Sequence, residues 1–239
     1  MTEVHPEPAA VFQDLLLGAE ELQPYLSELA VLAVTLLDAS QVLGCSILID
    51  RPRRTRAEAH SDARTARMAK AVFAPEGPGA VGLSGGESVV VTDAWNERRW
   101  HGFPGAAAAE GIRSLASVPL SLEGTARGAL CAFSPRPHLF QPRVLRLVER
   151  TAAEASSTLR LALRIDNHMN RAHNLQAALE SRTVVDIAVG IIMAQNSCSQ
   201  EAAVEILRSV SNTRNIKIRT VAAGVVAAVS DRVSTHFEE

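Results

Sequence analysis

The chain has 239 residues, of which 47% are hydrophobic and 21% charged, and its formal net charge is -2. These values are typical of a globular protein of one or two domains with enough apolar side chains for a sizeable core. The charge balance excludes nucleic-acid recognition by bulk positive charge, so any such contact requires a local basic patch. The three cysteines, Cys45, Cys131 and Cys198, are widely spaced and include no CxxC pair, which argues against a zinc site.

The N-terminal sequence MTEVHPEPAA has no basic segment followed by an apolar one, and so does not resemble a signal peptide. No apolar run reaches the length of about 18 residues that a membrane span needs. We therefore expect a cytoplasmic protein. The polar ends of the chain, at 1–19 and 232–239, are predicted to be flexible tails.

The first half of the chain combines helical spacing with short apolar runs. Leucines and alanines recur at helical steps over 22–38, with Pro24 tolerated in the first turn. The glycine-rich stretch 82–86 is predicted to be a turn. Helices are also predicted over two further stretches, 63–74 and 96–110, the second with an irregular interruption at Gly102–Pro104. Four apolar runs predict strands, the last two forming a β-hairpin: 41–49, 88–92, 112–120 and 126–133. We predict an α+β domain over residues 20–142, with an antiparallel sheet flanked by helices.

The second half is purely helical in pattern. Apolar residues at three- and four-residue steps from Leu145 to Leu179 predict a long helix, of which 143–177 form a connecting segment. Such a helix cannot bury its apolar stripe alone, so we predict a parallel homodimer. Ser197 and Gln200 have capping-box spacing and predict a second helix over 198–211. Asn215 is predicted to cap a third helix over 216–230.

The helical tail at 178–231 carries the most specific pattern of the chain. It contains core and polar positions in four stretches: ALESR at 178–182, VDIAVGIIM at 185–193, AVEILR at 203–208 and NIKIRTVA at 215–222. These stretches resemble the ANTAR family, the RNA-binding module of bacterial transcription antiterminators. The resemblance implies a three-helix fold that binds a paired stem-loop in a leader RNA. The family usually has a lysine just before the glycine that matches Gly190, and this chain has Val189 there.

Basic side chains of the tail gather around the predicted turn between the second and third helices. Cationic groups beside the N–H groups of a helix start suit phosphate oxygens. The tail has no aromatic residue from 178 to 231, so RNA contact must be cationic and polar rather than base stacking. Asp186 is expected to cap or pair locally. Five residues are predicted to bind RNA: Arg182, Arg208, Asn215, Lys217 and Arg219.

A second pattern precedes the tail. Asp93 is followed by RWHGF at 99–103, GIRSLASVPL at 111–120 and GTARGALCAF at 124–133. This order resembles the second half of a GAF domain, a diverse group of modules that sense small molecules or proteins. A GAF sensor followed by an ANTAR module is similar to an arrangement common in actinobacteria, which suits the arginine and alanine bias of the chain.

Three residues of the sensor are predicted to bind a ligand, because they lie where this fold has its pocket mouth: Trp95, Trp100 and Arg113. Core packing of the tryptophans is an equal alternative. Four clustered arginines favour a solvated loop over a phosphate site: Arg51, Arg53, Arg54 and Arg56. The histidines have no metal-binding spacing, and we expect neither a metal nor a cofactor.

Motifs of catalysis are absent from the sequence, which has no GxSxG, P-loop, HExxH or dinucleotide fingerprint. We therefore expect a regulator without enzyme activity, in which a small molecule or partner protein at the sensor controls RNA binding and antitermination. Two alternatives stay open. One is a ligand-sensing or protein-interaction dimer without RNA binding. The other is a small hydrolase or cyclase within the sensor, which would need convergent carboxylates or a Ser/His pair.

Overall fold

The structure is a computed structural model that describes residues 12, 15, 21–37, 41–52 and 54–234. Most of the predicted tail at 1–19 and the last residues of the tail at 232–239 lie outside the described residues. The chain divides into two compact units, Met1–Asp166 and Asn167–Glu239. Among the described residues, no helix is both long enough and apolar enough to cross a bilayer.

The first unit is built on a five-stranded sheet with the order β2-β1-β5-β4-β3 and antiparallel pairing throughout. The strands are β1 (Gly44–Asp50), β2 (Ala57–His60), β3 (Val89–Val91), β4 (Ser114–Leu120) and β5 (Arg127–Ser134). This confirms the predicted antiparallel sheet and the β4–β5 hairpin. Strand β2 was missed by the sequence prediction, because it lies at the sheet edge and buries only Ala59.

Helices cover both faces of this sheet. Along β1, Ile47 and Ile49 pack in one core while Leu48 packs in the other, as the two-residue period of a strand requires. The first core lies against α1 (Leu22–Leu37) and the start of α5 (Pro142–Asn196). The second core lies against three short helices: α2 (Ala63–Val72), α3 (Pro78–Gly85) and α4 (Phe103–Ala109).

In the first unit, two stretches differ from the sequence prediction in kind: 82–86 and the first part of 96–110. The predicted turn at 82–86 is wrong, because α3 extends to Gly85 and ends at Gly86 in a left-handed conformation. The predicted helix over 96–110 is wrong in its first part, up to the predicted interruption at Gly102–Pro104. A 3-10 turn occupies Ala94–Asn96, and α4 begins only at Phe103, after Gly102 adopts a φ of 81° that favours glycine.

The second unit consists of the end of α5 with α6 (Gln200–Arg214) and α7 (Ile218–Ser234), which confirms the predicted three helices. Both predicted caps are wrong. Ser199, not Ser197, caps α6, since its side chain accepts from the Ala202 N–H at 3.3 Å. Asn215 ends α6 rather than starting α7, because asparagine tolerates the left-handed conformation that its φ of 50° requires.

The core of the second unit is small. Leu207 is the largest of the side chains buried almost completely, and alanines supply the close contacts between helices. Six residues form this core: Ala188, Val189, Ile192, Ala203, Leu207 and Ala222. Packing of this kind leaves most polar side chains of the module on its surface.

Candidate RNA interface and sensor surface

The connection between α6 and α7 is tied together by Ser211. Its Oγ donates to the Ile216 carbonyl at 2.6 Å, and its own carbonyl accepts from the Ile216 N–H at 3.1 Å. Asn215 stands between them with its N–H directed to the carbonyls of Asn212 and Ser211. Ser211 and Ile216 thus hydrogen-bond to each other within the turn. The turn therefore presents a fixed backbone conformation to the surface.

Lys217 lies at the start of α7. Its carbonyl accepts from the N–H groups of Thr220 at 2.8 Å and Val221 at 3.3 Å, while the residue itself is exposed. The positive end of the helix dipole and the lysine therefore share one side of the turn, which favours an anion. Asn215 and Lys217 were both predicted to bind RNA, and the turn places them two residues apart on the surface.

The predicted RNA-binding arginines each face a carboxylate within the module. Arg182 Nε lies 3.8 Å from Asp186 Oδ2, Arg208 Nη1 2.6 Å from Glu205 Oε1, and Arg219 Nη2 3.9 Å from Glu180 Oε2. The expected local pairing of Asp186 is thus confirmed. All of these side chains are about half exposed or more, and exposed pairs of this kind contribute little to stability. A phosphate oxygen can therefore replace the carboxylates at small cost.

Val189 occupies the position where the family usually has a lysine. Its side chain is 5% exposed and belongs to the core that joins the three helices. In this chain the position therefore serves packing. Cationic contact with RNA has to come from the exposed residues of the module.

The three predicted ligand residues of the sensor lie in different surroundings. Trp100 is buried against Phe103, with ring centroids 6.0 Å apart in an edge-on arrangement, and the Arg99 guanidinium lies over its ring at 4.2 Å. Trp95 is instead exposed, and the Arg113 guanidinium lies 4.3 Å from its ring centroid. The structure therefore brings Trp95 and Arg113 together on the surface and places Trp100 in the core.

Asp93 holds Arg113 and the Trp95 backbone in place through hydrogen bonds. It was not among the predicted site residues. Its two carboxylate oxygens accept from Nε and Nη2 of Arg113, both at 3.2 Å, and from Nδ2 of Asn96 at 2.7 Å. The Trp95 N–H completes the set at 3.4 Å. Hydrogen bonding by Arg113, and then by Asn96, holds the pKa of Asp93 below its ordinary value. The carboxylate is thus charged at neutral pH and fixes the guanidinium over the indole.

A Ser/His pair does exist in the sensor, between neighbouring strands. Ser46 Oγ lies 2.9 Å from Nδ1 of His60, and Nε2 of His60 lies 3.9 Å from Glu58. Burial lowers the pKa of His60. However, Ser46 is completely buried and also reaches the Thr65 carbonyl at 3.5 Å. Because Ser46 is buried, the contact has the geometry of a cross-strand hydrogen bond between β1 and β2.

The described arginines of the loop after β1, Arg51, Arg54 and Arg56, do not form one patch. Arg51 is mostly buried and pairs with Asp166 of α5, whereas Arg56 lies 3.5 Å from Asp50 at the surface. Arg54 is exposed, and Arg53 lies outside the described residues. Among the described residues, no group of three or more His, Cys, Asp or Glu side chains is placed to hold a metal ion.

Comparisons with known proteins agree with this architecture. Residues 22–159 match the GAF domain model, and residues 173–226 match the ANTAR domain model. Curated protein sequences give no significant match.

Solved structures also resemble the chain. An N-acylhomoserine lactone-dependent LuxR-family transcription factor from Burkholderia cenocepacia is 15% identical, with a TM-score of 0.50 over 67% of this chain and 96% of its own. The GAF domain of an Acinetobacter phosphoenolpyruvate-protein phosphotransferase is 17% identical, with a TM-score of 0.48 over 69% of this chain and 98% of its own. At this identity the first likeness shows the fold alone. From the two domain matches, the chain belongs to the GAF family and carries an ANTAR domain after its GAF domain.

Proposed function

We propose that this protein is a cytoplasmic, signal-responsive regulator of transcription antitermination. Its ANTAR domain binds a structured leader RNA, and its GAF domain controls that binding. The main support is the exposed turn between α6 and α7, where Asn215 and Lys217 stand on a backbone tied by Ser211. Binding of the stem-loop prevents a terminator from forming, so the protein refolds RNA and makes or breaks no covalent bond.

RNA contact in this proposal is made by charge and hydrogen bonds. Lys217 and Arg219 lie two residues apart at the start of α7, and Arg208 lies on α6, which leads into the same turn. Their exposed ion pairs exchange carboxylate for phosphate oxygens, and the guanidinium planes can also contact loop bases. Each phosphate neutralised in this way makes affinity fall as salt rises.

A second copy of the chain completes the proposal, because the long helix α5 leaves large apolar side chains uncovered. Five of them are about half exposed or more: Leu161 49%, Ile165 50%, Met169 65%, Leu175 63% and Leu179 54%. Most follow one another at a four-residue step, which suits a helix-to-helix seam. Parallel pairing of two chains then presents two ANTAR domains to two stem-loops.

Salt titration of RNA binding tests the proposal. Dissociation constants for candidate leader RNAs are measured between low and physiological salt, with and without activators. We compare the natural chain, the Lys217→Ala/Arg219→Ala variant and an Arg143→Ala control, which removes an exposed charge at the start of α5. The double variant is expected to lose about tenfold or more in affinity and to lower the salt slope by about 1 to 2.

The control is expected to bind like the natural chain. Absence of binding under every condition, or equal affinity of the natural chain and the double variant, would overturn the proposal.

A protein-interaction dimer without RNA binding is the second candidate, and the ion pairs of Arg182, Arg208 and Arg219 favour it. If those arginines only stabilise the module, the double variant retains full regulatory output in a cellular reporter assay. The reporter and the RNA titration together separate the two functions.

A further inference from the structure

Trp95 is the exposed exception among the aromatic side chains. It is 46% exposed, whereas every other aromatic residue that the structure describes is at most 9% exposed: Phe12, Tyr25, Phe73, Trp100, Phe103, Phe133 and Phe140. We infer that Trp95 and Arg113 anchor a docking surface of the GAF domain for an acidic protein segment, one that carries an aromatic or long aliphatic side chain between carboxylates.

The backbone that carries Trp95 is held firmly. Ala94, the preceding residue, is completely buried and donates its N–H to the Arg113 carbonyl at 2.7 Å. Asp93 caps the 3-10 turn by accepting from the Trp95 N–H. The indole is therefore directed outward before any partner arrives, so that little conformational freedom is lost on binding.

Arg113 fixes the ring itself. Its guanidinium lies over the Trp95 ring, and the two bonds to Asp93 prevent it from turning away. One face of the indole is covered by this contact, and the exposed remainder is open to a partner. Tryptophan and arginine are the side chains most enriched at the centres of protein interfaces, where a few rigid anchors supply most of the binding energy.

The charges around this surface define the partner. Asp93 and Glu97 are engaged by Arg113 and Arg99, the latter pair at 2.6 Å. Two more arginines are exposed nearby and have no ion-pair partner among the described residues: Arg98 and Arg136. The backbone of Arg136 lies close to the start of β4, because its carbonyl accepts from the hydroxyl of Ser114, the neighbour of Arg113, at 2.6 Å. An apolar anchor with a cationic rim complements an apolar side chain flanked by carboxylates.

A protein fits this surface better than RNA does. Four arginines stand against two carboxylates, so the local excess of positive charge is small, and the strongest donors are already committed to Asp93 and Glu97. A polyanion needs several uncommitted cations along its track. Docking of the acidic segment would be the input signal of the proposed regulator. Only this regulatory role rests on the proposed function, because binding of the segment itself involves no RNA.

Peptide binding to the full chain tests the inference. The probes are short fluorescein-labelled peptides with a central phenylalanine flanked by glutamate, glutamine or lysine, followed by fluorescence anisotropy. We expect the glutamate peptide to bind most tightly and to weaken with salt. Trp95→Ala is expected to reduce its affinity by at least about tenfold, and Trp95→Phe to restore part of it. Arg127→Ala, which removes an exposed charge at the start of β5, serves as the matched control.

Circular dichroism and thermal unfolding first establish that each variant is folded. The inference fails if the glutamate and lysine peptides bind equally, if none binds, or if Trp95→Ala binds as well as the natural chain. It also fails if Trp95→Ala instead loses affinity for leader RNA, since the surface would then belong to RNA. The Lys217→Ala/Arg219→Ala variant is expected to bind the glutamate peptide as the natural chain does, even where it loses RNA binding. Each proposal is therefore tested separately.

Discussion

Asp93 shows how one side chain can organise a surface. It receives hydrogen bonds from the guanidinium of Arg113, just before β4, and from the Asn96 amide and the Trp95 N–H, both in the 3-10 turn. Removing its charge would free Arg113 from the indole while leaving the strands beneath unchanged. The stability of the sensor domain is therefore expected to depend on the ionisation of this carboxyl.

The Asp93→Asn variant tests this dependence. Arg113 lowers the pKa of Asp93 in the folded chain, so the pairing stabilises the fold above the unfolded pKa of about 4. The stabilisation is lost as pH falls through the lower folded pKa. The natural chain should therefore melt at a higher temperature than Asp93→Asn at neutral pH, and the gap should close below about pH 4.

Melting curves from neutral to acidic pH measure this gap. Glu201→Gln, which neutralises an exposed carboxylate of α6, controls for loss of charge alone. A gap of constant size across the whole pH range would show that the Asp93 side chain acts through its shape rather than its charge.

The two tryptophans mark the limit of residue-level prediction. Trp95 and Trp100 lie five residues apart in similar polar surroundings, and both were predicted to bind a ligand. Their burial is decided by tertiary contacts, with Phe103 in one case and Arg113 in the other. The cationic residues of the ANTAR domain were easier to place, because helical spacing and the family pattern both locate them.

Helix α3 shows how glycine can make an element possible. Three glycines within eight residues predict a loop, yet the chain is helical there. A Cβ added to Gly77, at its N-cap, would lie 2.3 Å from the Val72 carbonyl and 2.5 Å from the Ala71 carbonyl. A Cβ on Gly79 would meet the Phe73 ring at 2.6 Å. The glycines therefore allow α3 to follow closely on the end of α2, and this packing outweighs their low helix propensity.

Gly77→Ala is expected to destabilise the sensor domain by about 1–3 kcal/mol, because the atoms it meets belong to the backbone and cannot rotate away. Gly105→Ala in α4 is the matched control, since a Cβ there meets nothing within 4 Å. That variant should raise stability by about 0.5–1 kcal/mol through helix propensity. Denaturant unfolding measures both, and equal effects of the two changes would contradict the packing argument.

Elements with strong periodicity could be predicted from the sequence, and elements set by neighbours could not. Helix α1, the β4–β5 hairpin and the long helix α5 all follow from their apolar spacing. Strand β2 has the sequence AEAH and is defined by its pairing with β1, which no local pattern reveals. Helix α6 spans 200–214 rather than the predicted 198–211, because Ser197 and Asn215 on either side of it take left-handed conformations.

At the scale of the whole molecule, the proposed dimer depends on α5. Leu161 and Ile165 are left exposed in the first unit, and Met169, Leu175 and Leu179 are left exposed in the second, so each unit by itself offers apolar side chains for pairing. Leu175→Asp places a charge in the middle of this seam, where it would have to be desolvated on association. The variant is expected to elute as a monomer, and the natural chain is expected to elute as a dimer.

Light scattering coupled to size-exclusion chromatography measures the mass of each form. Ala202→Asp is the matched control, because it adds the same side chain at an exposed position of α6, outside α5. Identical masses of the natural chain and Leu175→Asp would exclude the seam as the dimer contact.

The ion pairs of the ANTAR domain also bear on selectivity. Transfer and ribosomal RNA vastly outnumber any leader in a cell, and a surface of unopposed arginines would adsorb to them through charge alone. In the proposed regulator, Arg182, Arg208 and Arg219 each face a carboxylate, so the net positive charge of this surface is small and its general attraction for RNA is weak. An RNA whose phosphates contact several of these arginines at once would gain more than a random segment does, so the carboxylates would favour a matching RNA over the bulk of cellular RNA.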